Sequence, residues 1–172
     1  MIAHNIRSAH NIGSIFRTSD GCGVEKLYLT GYTPTPATSQ TVYLNRSHKD
    51  LAKTALGAEK NIAWESVEDV NDVMTKLKQE GYQIVALEQS EKSIEYRAYI
   101  PHQKIALVLG NEVEGVENAL IESADVILEI PMRGKKNSLN VSVAFGIAAF
   151  EIRSKIESMD EGLVFENNFK RT

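Results

Sequence analysis

Short apolar runs alternate with helix-length segments along most of this chain, and that alternation most constrains its fold. Ile2 to Ile6, Lys26 to Thr30, Asn61 to Trp64, Gln83 to Leu87, Lys104 to Leu109 and Val126 to Ile130 read as strands. Asn11 to Gly21 carries Ile12, Ile15, Phe16 and Ser19 at helical spacing, with Asn11 at the capping position. Further helices are expected over His48 to Leu56, Val116 to Ile121 and Leu139 to Ile156. Another opens at Ser66 with Asp69 three residues on, and Val67, Val70, Val73, Met74 and Leu77 form one face. Gly31 to Ser47 holds Pro34 and Pro36 and reads as a long loop. This is the pattern of an α/β domain: a mostly parallel sheet with helices on both faces. The 172 residues suit one domain, at about 150 residues each. The domain is expected over residues 1–156. Residues 157–172 read as a polar tail with only Met159, Leu163, Val164, Phe165 and Phe169 to dock it.

Composition excludes several classes. Hydrophobic residues make up 42% and charged residues 24%, which fits a globular protein and argues against disorder. The 19 basic and 23 acidic residues give a net charge of -4, so a wholesale basic coat is excluded but a local basic patch is not. Cys22 is the single cysteine, which excludes an internal disulfide and multi-cysteine metal sites. It reads as a small packed residue and suits a reducing compartment. The opening residues do not read as a signal peptide, so a cytoplasmic location is expected. No apolar run approaches the ~18 residues that span a bilayer, so no membrane partner is expected. His4, His10, His48 and His102 lack metal-ligand spacing, so no metal is expected. Trp64 and Tyr96 are read as packing residues rather than base-stacking ones.

Three segments hold more small and polar residues than scaffold requires. The first runs from Asn11 to Gly21, where amides at a helix N-terminus attract anions and Arg17 follows one to two turns in. Alone, it is equally a capped amphipathic helix with a solvated arginine. The second, Leu107 to Gly115, is a buried strand that ends at Gly110 and is followed by Glu112 and Glu114. Ligands of parallel sheets gather beyond the carboxyl ends of strands, and Gly110 would let one approach the backbone. Its spacing is neither a dinucleotide fingerprint nor a Walker loop. The third, Ile130 to Ala144, joins a strand-ending proline, a basic glycine loop and a helix opening with Ser138 and Asn140.

Together these segments resemble the three motifs of the SpoU (TrmH-like) branch of the SPOUT RNA methyltransferases. Asn11, Gly13 and Arg17 match N-x-G-x-x-x-R. Leu107, Gly110, Glu112 and Gly115 match L-x-x-G-x-E-x-x-G. Ile130 to Ala144 matches I-P-M-x-G-x-x-x-S-L-N-V-S-V-A at every specified position. The resemblance spans about Ile2 to Ile156.

The resemblance implies a C-terminal trefoil knot, S-adenosylmethionine as methyl donor, and a homodimer with the active site at the interface. It places the donor against Leu87, Glu88, Leu109, Gly110, Ile130, Met132, Ser138 and Leu139, largely through backbone groups. The implied reaction methylates a ribose 2′-hydroxyl of tRNA or rRNA. That hydroxyl needs in-line alignment with the donor and a way to shed its proton. Arg17 matches the arginine given the catalytic role. A guanidinium is a difficult base, so Arg17 is read as gripping the adjacent phosphate and stabilising the developing alkoxide. Asn11 is expected to orient Arg17 or the ribose, and Glu112 to fix the motif loops or Asn11. Ser138 and Asn140 are expected to bond the ribose, the donor or Arg17.

The expected RNA surface is Arg7, Arg46, His48, Lys49, Lys53, Arg133, Lys135 and Lys136. Two alternatives remain open: a non-catalytic RNA-binding or assembly protein on the same fold, and a knotted enzyme that methylates a base nitrogen. The complete constellation of Arg17, Glu112, Ser138 and Asn140 weighs against the first, and the S-L-N-V-S-V-A segment against the second.

Overall fold

Seven strands form one sheet: β1 (Ile2–His4), β2 (Lys26–Thr30), β3 (Ala63–Val67), β4 (Gln83–Leu87), β5 (Ile94–Glu95), β6 (Ile105–Leu109) and β7 (Val126–Glu129). Their order is β3-β2-β1-β6-β4-β7-β5, and every pairing is parallel. The structure is a computed structural model describing residues 1–169, with side-chain surroundings to residue 159. The helices are α1 (Ala9–Cys22), α2 (Arg46–Ala55), α3 (Val70–Gln79), α4 (Asn118–Ser123) and α5 (Val141–Phe169).

Successive side chains of the central strands go to opposite faces, and both faces are apolar. Leu27, Leu29, Val85, Leu107 and Leu109 join one core; Tyr28, Ile84, Ala86, Ala106 and Val108 join the other. Strands buried on both sides need helices above and below. The first core is closed by Ile12, Ile15 and Phe16 of α1, Leu51 of α2 and Phe145 of α5. The second is closed by Val73, Met74 and Leu77 of α3 and Leu120 of α4. Phe16 is fully buried, and its truncation to alanine is expected to cost about 3–5 kcal/mol.

Local chemistry moves several boundaries. The first strand stops at His4 because Asn5 takes a left-handed conformation at φ 54°, although Ile6 still enters the core. Helix α1 is capped by Ser8, whose hydroxyl accepts from the Asn11 amide, so Asn11 lies in the first turn and is not the cap. Helix α3 is capped by Asp69; Ser66 and Val67 pair with Leu29 and Thr30 as strand β3. The two residues of β5 pair with Leu128 and Glu129 in a segment to which the sequence assigns no element. Helix α5 runs to Phe169, past the expected end at Ile156. Met159 is exposed, and the docking expected of Leu163, Val164, Phe165 and Phe169 lies outside the described side chains.

Gly13, the motif glycine of α1, is explained by helix packing. A methyl group there would overlap the Thr54 hydroxyl and the Leu51 carbonyl of α2. Cys22 is buried, and burial pushes its thiol above the ordinary range. Trp64 packs against the first core.

Candidate active site

Parallel pairing brings the carboxyl ends of β1, β4, β6 and β7 to one edge. The loops beyond β4, β6 and β7 line a cavity of about 340 Å3. All eight residues expected to hold the donor line it: Leu87, Glu88, Leu109, Gly110, Ile130, Met132, Ser138 and Leu139. Four carboxylates, Glu88, Glu112, Glu114 and Glu129, share the wall, and among the described residues no lysine or arginine does. A slot of mixed apolar and polar wall with several carboxylates suits a ligand that combines an apolar ring with positive charge.

The wall beyond β6 closes on itself. Asn111 and Gly115 exchange backbone hydrogen bonds, both 2.9 Å. A methyl group on Gly110 would overlap the Gly115 carbonyl, so the absence of a side chain here lets the loop close on itself. Gly115 has φ 73°, which its lack of a side chain permits. The Glu88 carboxylate braces the loop by accepting from the amides of Val116 and Gln89, both at 2.9 Å. Buried Asn111 accepts from the amides of Val113 (2.8 Å) and Glu114 (3.0 Å). It donates to the Asn5 carbonyl (2.9 Å) and the Tyr32 hydroxyl (2.8 Å).

The three motif segments meet in one relay. Asn140 Nδ2 donates to Asn11 Oδ1 at 3.0 Å, and Asn11 Nδ2 donates to Glu112 Oε1 at 2.8 Å. Glu112 also accepts from the amides of Ser8 (3.0 Å) and Arg7 (2.9 Å). Its carboxylate therefore occupies the N-terminus of α1, where the sequence suggested an open anion site. Burial acts to raise the Glu112 pKa, but the bonds from Arg7, Asn11 and Ser8 outweigh it and hold the group below the ordinary carboxylate range. Asn140 Oδ1 accepts from the Ser142 amide (2.9 Å) and hydroxyl (2.7 Å), which ties the relay to the start of α5.

Arg17 stands apart. It is exposed on α1, is absent from the cavity wall, and makes no hydrogen bond or ion pair among the described residues. Arg7, Arg46, Lys49, Lys53, Arg133, Lys135 and Lys136 are exposed, whereas His48 is half-buried. Arg46, Lys49 and Lys53 lie on α2, which the Thr54 hydroxyl ties to the His10 carbonyl of α1 at 2.9 Å. Arg133, Lys135 and Lys136 precede Asn140, which reaches Asn11.

A family model described as the SpoU rRNA Methylase family matches residues 1–150. The chain belongs to this family. A tRNA (guanosine(18)-2′-O)-methyltransferase of Aquifex aeolicus is 34% identical over 160 residues, 91% of this chain and 69% of the relative. An uncharacterised tRNA/rRNA methyltransferase of Borreliella burgdorferi is 31% identical over 159 residues, 91% of this chain and 64% of that protein. The chain thus spans about two thirds of the length of these SpoU relatives. A crystal structure of the A. aeolicus TrmH/SpoU tRNA modifying enzyme superposes with a TM-score of 0.78 at 32% identity, covering 92% of this chain and 75% of that one. An AdoMet-bound rRNA methyltransferase from Sinorhizobium meliloti gives 0.76 at 26% identity, covering 89% and 54%.

Sequence reasoning missed three residues of this SpoU site. Asn111 stood unassigned inside its motif, although asparagine near glycines signals a side-chain turn. Ser8 was visible as a capping serine. Gln89 lines the cavity and donates to the Asn137 carbonyl at 2.6 Å, and nothing in the sequence marks it.

Proposed function

We propose that this SpoU-family chain transfers a methyl group from S-adenosylmethionine to a ribose 2′-hydroxyl of tRNA or rRNA, working as a homodimer. The observation that carries the proposal is the Asn140–Asn11–Glu112 relay, which joins all three motif segments and reaches the wall of the acidic cavity through Glu112. The Aquifex relative is named for 2′-O methylation of a tRNA guanosine, and the Sinorhizobium structure is AdoMet-bound.

Bound S-adenosylmethionine supplies an electrophilic methyl group on a positively charged sulfur. Leu87, Leu109, Ile130, Met132 and Leu139 offer apolar surface to its flat ring, while Ser138 and the backbone at Gly110 offer polar contacts. Glu88 braces the loop beyond β6 and presents negative charge. Glu112 and Asn11 hold the first turn of α1 in register, and Asn140 carries that register to the third motif. Arg17 grips the phosphate beside the target ribose and stabilises the alkoxide as the hydroxyl proton passes to solvent water.

Dimerisation brings Arg17 to a cavity. Val143 and Phe150 of α5 are about half exposed, and they flank Gly146 on one stripe. Gly146 approaches Thr18 of α1, and Phe150 lies against Gly21. A second copy docked on this stripe covers apolar surface and lies beside Arg17, so Arg17 of each copy serves the cavity of the other. We also assign the C-terminal part of the methyltransferase unit, residues 1–156, to a trefoil knot. Strand β7 lies between β4 and β5, and the intervening segment is held from both sides. Gln89 binds the Asn137 carbonyl, and Lys155 of α5 donates to the carbonyls of Arg97 (2.6 Å) and Tyr99 (2.9 Å).

Methyl transfer from labelled S-adenosylmethionine to unmodified tRNA and rRNA pools tests the function. Digestion to nucleosides and mass spectrometry is expected to show a 2′-O-methylnucleoside. A base-methylated product, or donor binding with no transfer to either pool, would count against it.

A further inference from the structure

The segment between β2 and α2 presents apolar side chains to water in an unusual way. Val42 is fully exposed, Tyr43 is 79% exposed and Leu44 is 49% exposed. They are consecutive, and the chain on each side of them is fixed. Before them, Thr38 and Thr41 close a turn: the Thr38 amide donates to the Thr41 hydroxyl at 2.9 Å, and the Thr41 amide to the Thr38 carbonyl at 3.0 Å. After them, Asn45 caps α2 by accepting from the His48 amide at 2.9 Å. Val42-Tyr43-Leu44 is thus displayed between two hydrogen-bonded anchors, with Val42 and Tyr43 largely uncovered among the described residues.

Charge identifies the kind of surface. From Lys26 to Lys49 there is no aspartate or glutamate, on a chain whose net charge is -4. Helix α2 opens directly after the apolar triplet with Arg46, and Lys49 follows one turn later; both are exposed. The segment leaves the carboxyl end of β2, the edge that carries the cavity. Tyr32, at its start, bonds Asn111 in the wall loop. An exposed aromatic ring beside cations is the combination that binds unpaired nucleotides, with the ring under a base and the cations on flanking phosphates.

We propose that Tyr43, supported by Leu44 and flanked by Arg46 and Lys49, is a stacking platform for an unpaired base of the RNA substrate. It selects single-stranded or looped RNA over duplex. This rests on the RNA methyltransferase reading above and adds to it the structural class of the substrate.

The probes are a short, unstructured, end-labelled RNA and the blunt duplex of the same sequence, with affinity measured by fluorescence anisotropy at fixed salt. Tyr43→Ala is expected to weaken binding of the unstructured RNA by about 5- to 100-fold, the range for loss of one stacked base. Tyr43→Phe keeps the ring and is expected to stay close to wild type, and duplex binding is expected to be unchanged in both. At 79% exposure the substitution removes no core contact, and unchanged thermal unfolding checks this. Unaltered binding of unstructured RNA by Tyr43→Ala, from a wild type that methylates RNA, overturns the platform and leaves the methyltransferase reading intact. A changed oligomeric state by light scattering, with RNA affinity retained, identifies the patch as a protein interface and overturns it too. A wild type that binds neither RNA and methylates neither pool overturns both readings together.

Discussion

Asn11 and Arg17 belong to the same motif and the same helix, yet they meet different fates. Asn11 is held at both ends of its amide, by Glu112 and by Asn140, over sequence separations of 101 and 129 residues. Arg17 is exposed and bonded to nothing among the described residues. One residue is organised by its own chain; the other is left available. A group meant to act on a substrate need not be satisfied by its own fold, whereas a group that sets the geometry must be. The contrast divides the motif into a structural half and a half left free for a substrate, which is what the proposed reactive role of Arg17 requires.

The largest expected effect lies on the reactive half. Arg17→Ala should lower methyl transfer by about 10²–10³-fold, as when one donor to a developing oxyanion is removed. Donor affinity by calorimetry and the unfolding midpoint should hardly move. Equal loss of turnover and donor affinity would break the division.

Asn11 and Glu112 should behave in the opposite manner. Glu112→Ala strips partners from the amides of Arg7 and Ser8 and from the side chain of Asn11. Leaving such donors unmet costs about 1–3 kcal/mol, read as a lower denaturation midpoint, and donor binding should weaken with it. A stable Glu112→Ala protein that had lost only turnover would move Glu112 to the reactive half.

The same carboxylate sets a pH dependence. Its folded pKa lies below the ordinary range, so its contribution is fully present above about pH 4.3, the unfolded value, and is lost as pH falls through the folded pKa. Glu112→Gln should flatten that acid limb of a stability-against-pH curve. An unchanged limb would show that other carboxylates control it.

The smallest effect is expected at the amino ends of the strands. A cavity of about 440 Å3 lies there, larger than the one at the carboxyl edge and lined in part by Leu107, Phe145, Ile152 and Arg153. No motif segment's polar relay enters it. Among the described residues, the ion pair of Arg153 is an exposed one with Glu157 at 2.8 Å. Arg153→Ala should change stability by no more than about 0.5 kcal/mol and leave donor affinity unaltered. A large drop in donor affinity would mean that volume, and not the convergence of loops, marks the site.

Much of the scaffold was legible because burial on both faces writes long apolar runs. Strands β2 and β4 occur at Lys26–Thr30 and Gln83–Leu87, the residues the apolar runs mark. Strand β5 was not legible: two residues, Ile94 and Glu95, are strand only because Leu128 and Glu129 offer them a free edge. The cap of α1 shows a subtler limit. Ser8 and Asn11 are both good capping residues, and the choice falls to Ser8 while Glu112, a hundred residues away, engages Asn11. The motif glycines show a further limit. Gly13 was legible only as a motif position, whereas the structure gives it a packing reason, because helix α2 fills the space beside it; at Gly110 the loop's own carbonyl does so. The cavity wall could be proposed from the motifs. Gln89 could not, because its bond to the Asn137 carbonyl depends on which loop lies opposite, whereas the local turn of Asn111 was readable and only its reach to Asn5 and Tyr32 was not.

The central claim is that Arg17 of one copy completes the cavity of the other, and subunit mixing tests it most directly. Arg17→Ala supplies an intact cavity without the arginine. Leu139→Arg supplies the arginine but places a cation in a cavity shaped for a cationic donor; Leu139 is 38% exposed, so the fold should accept it. Each variant alone should be inactive. Refolded together in equal amounts, they should recover about a quarter of wild-type methyl transfer, because half the dimers are mixed and each mixed dimer has one complete site. No recovery, with mixed dimers verified by mass, would place Arg17 and the cavity of its own chain in the same site and contradict the account.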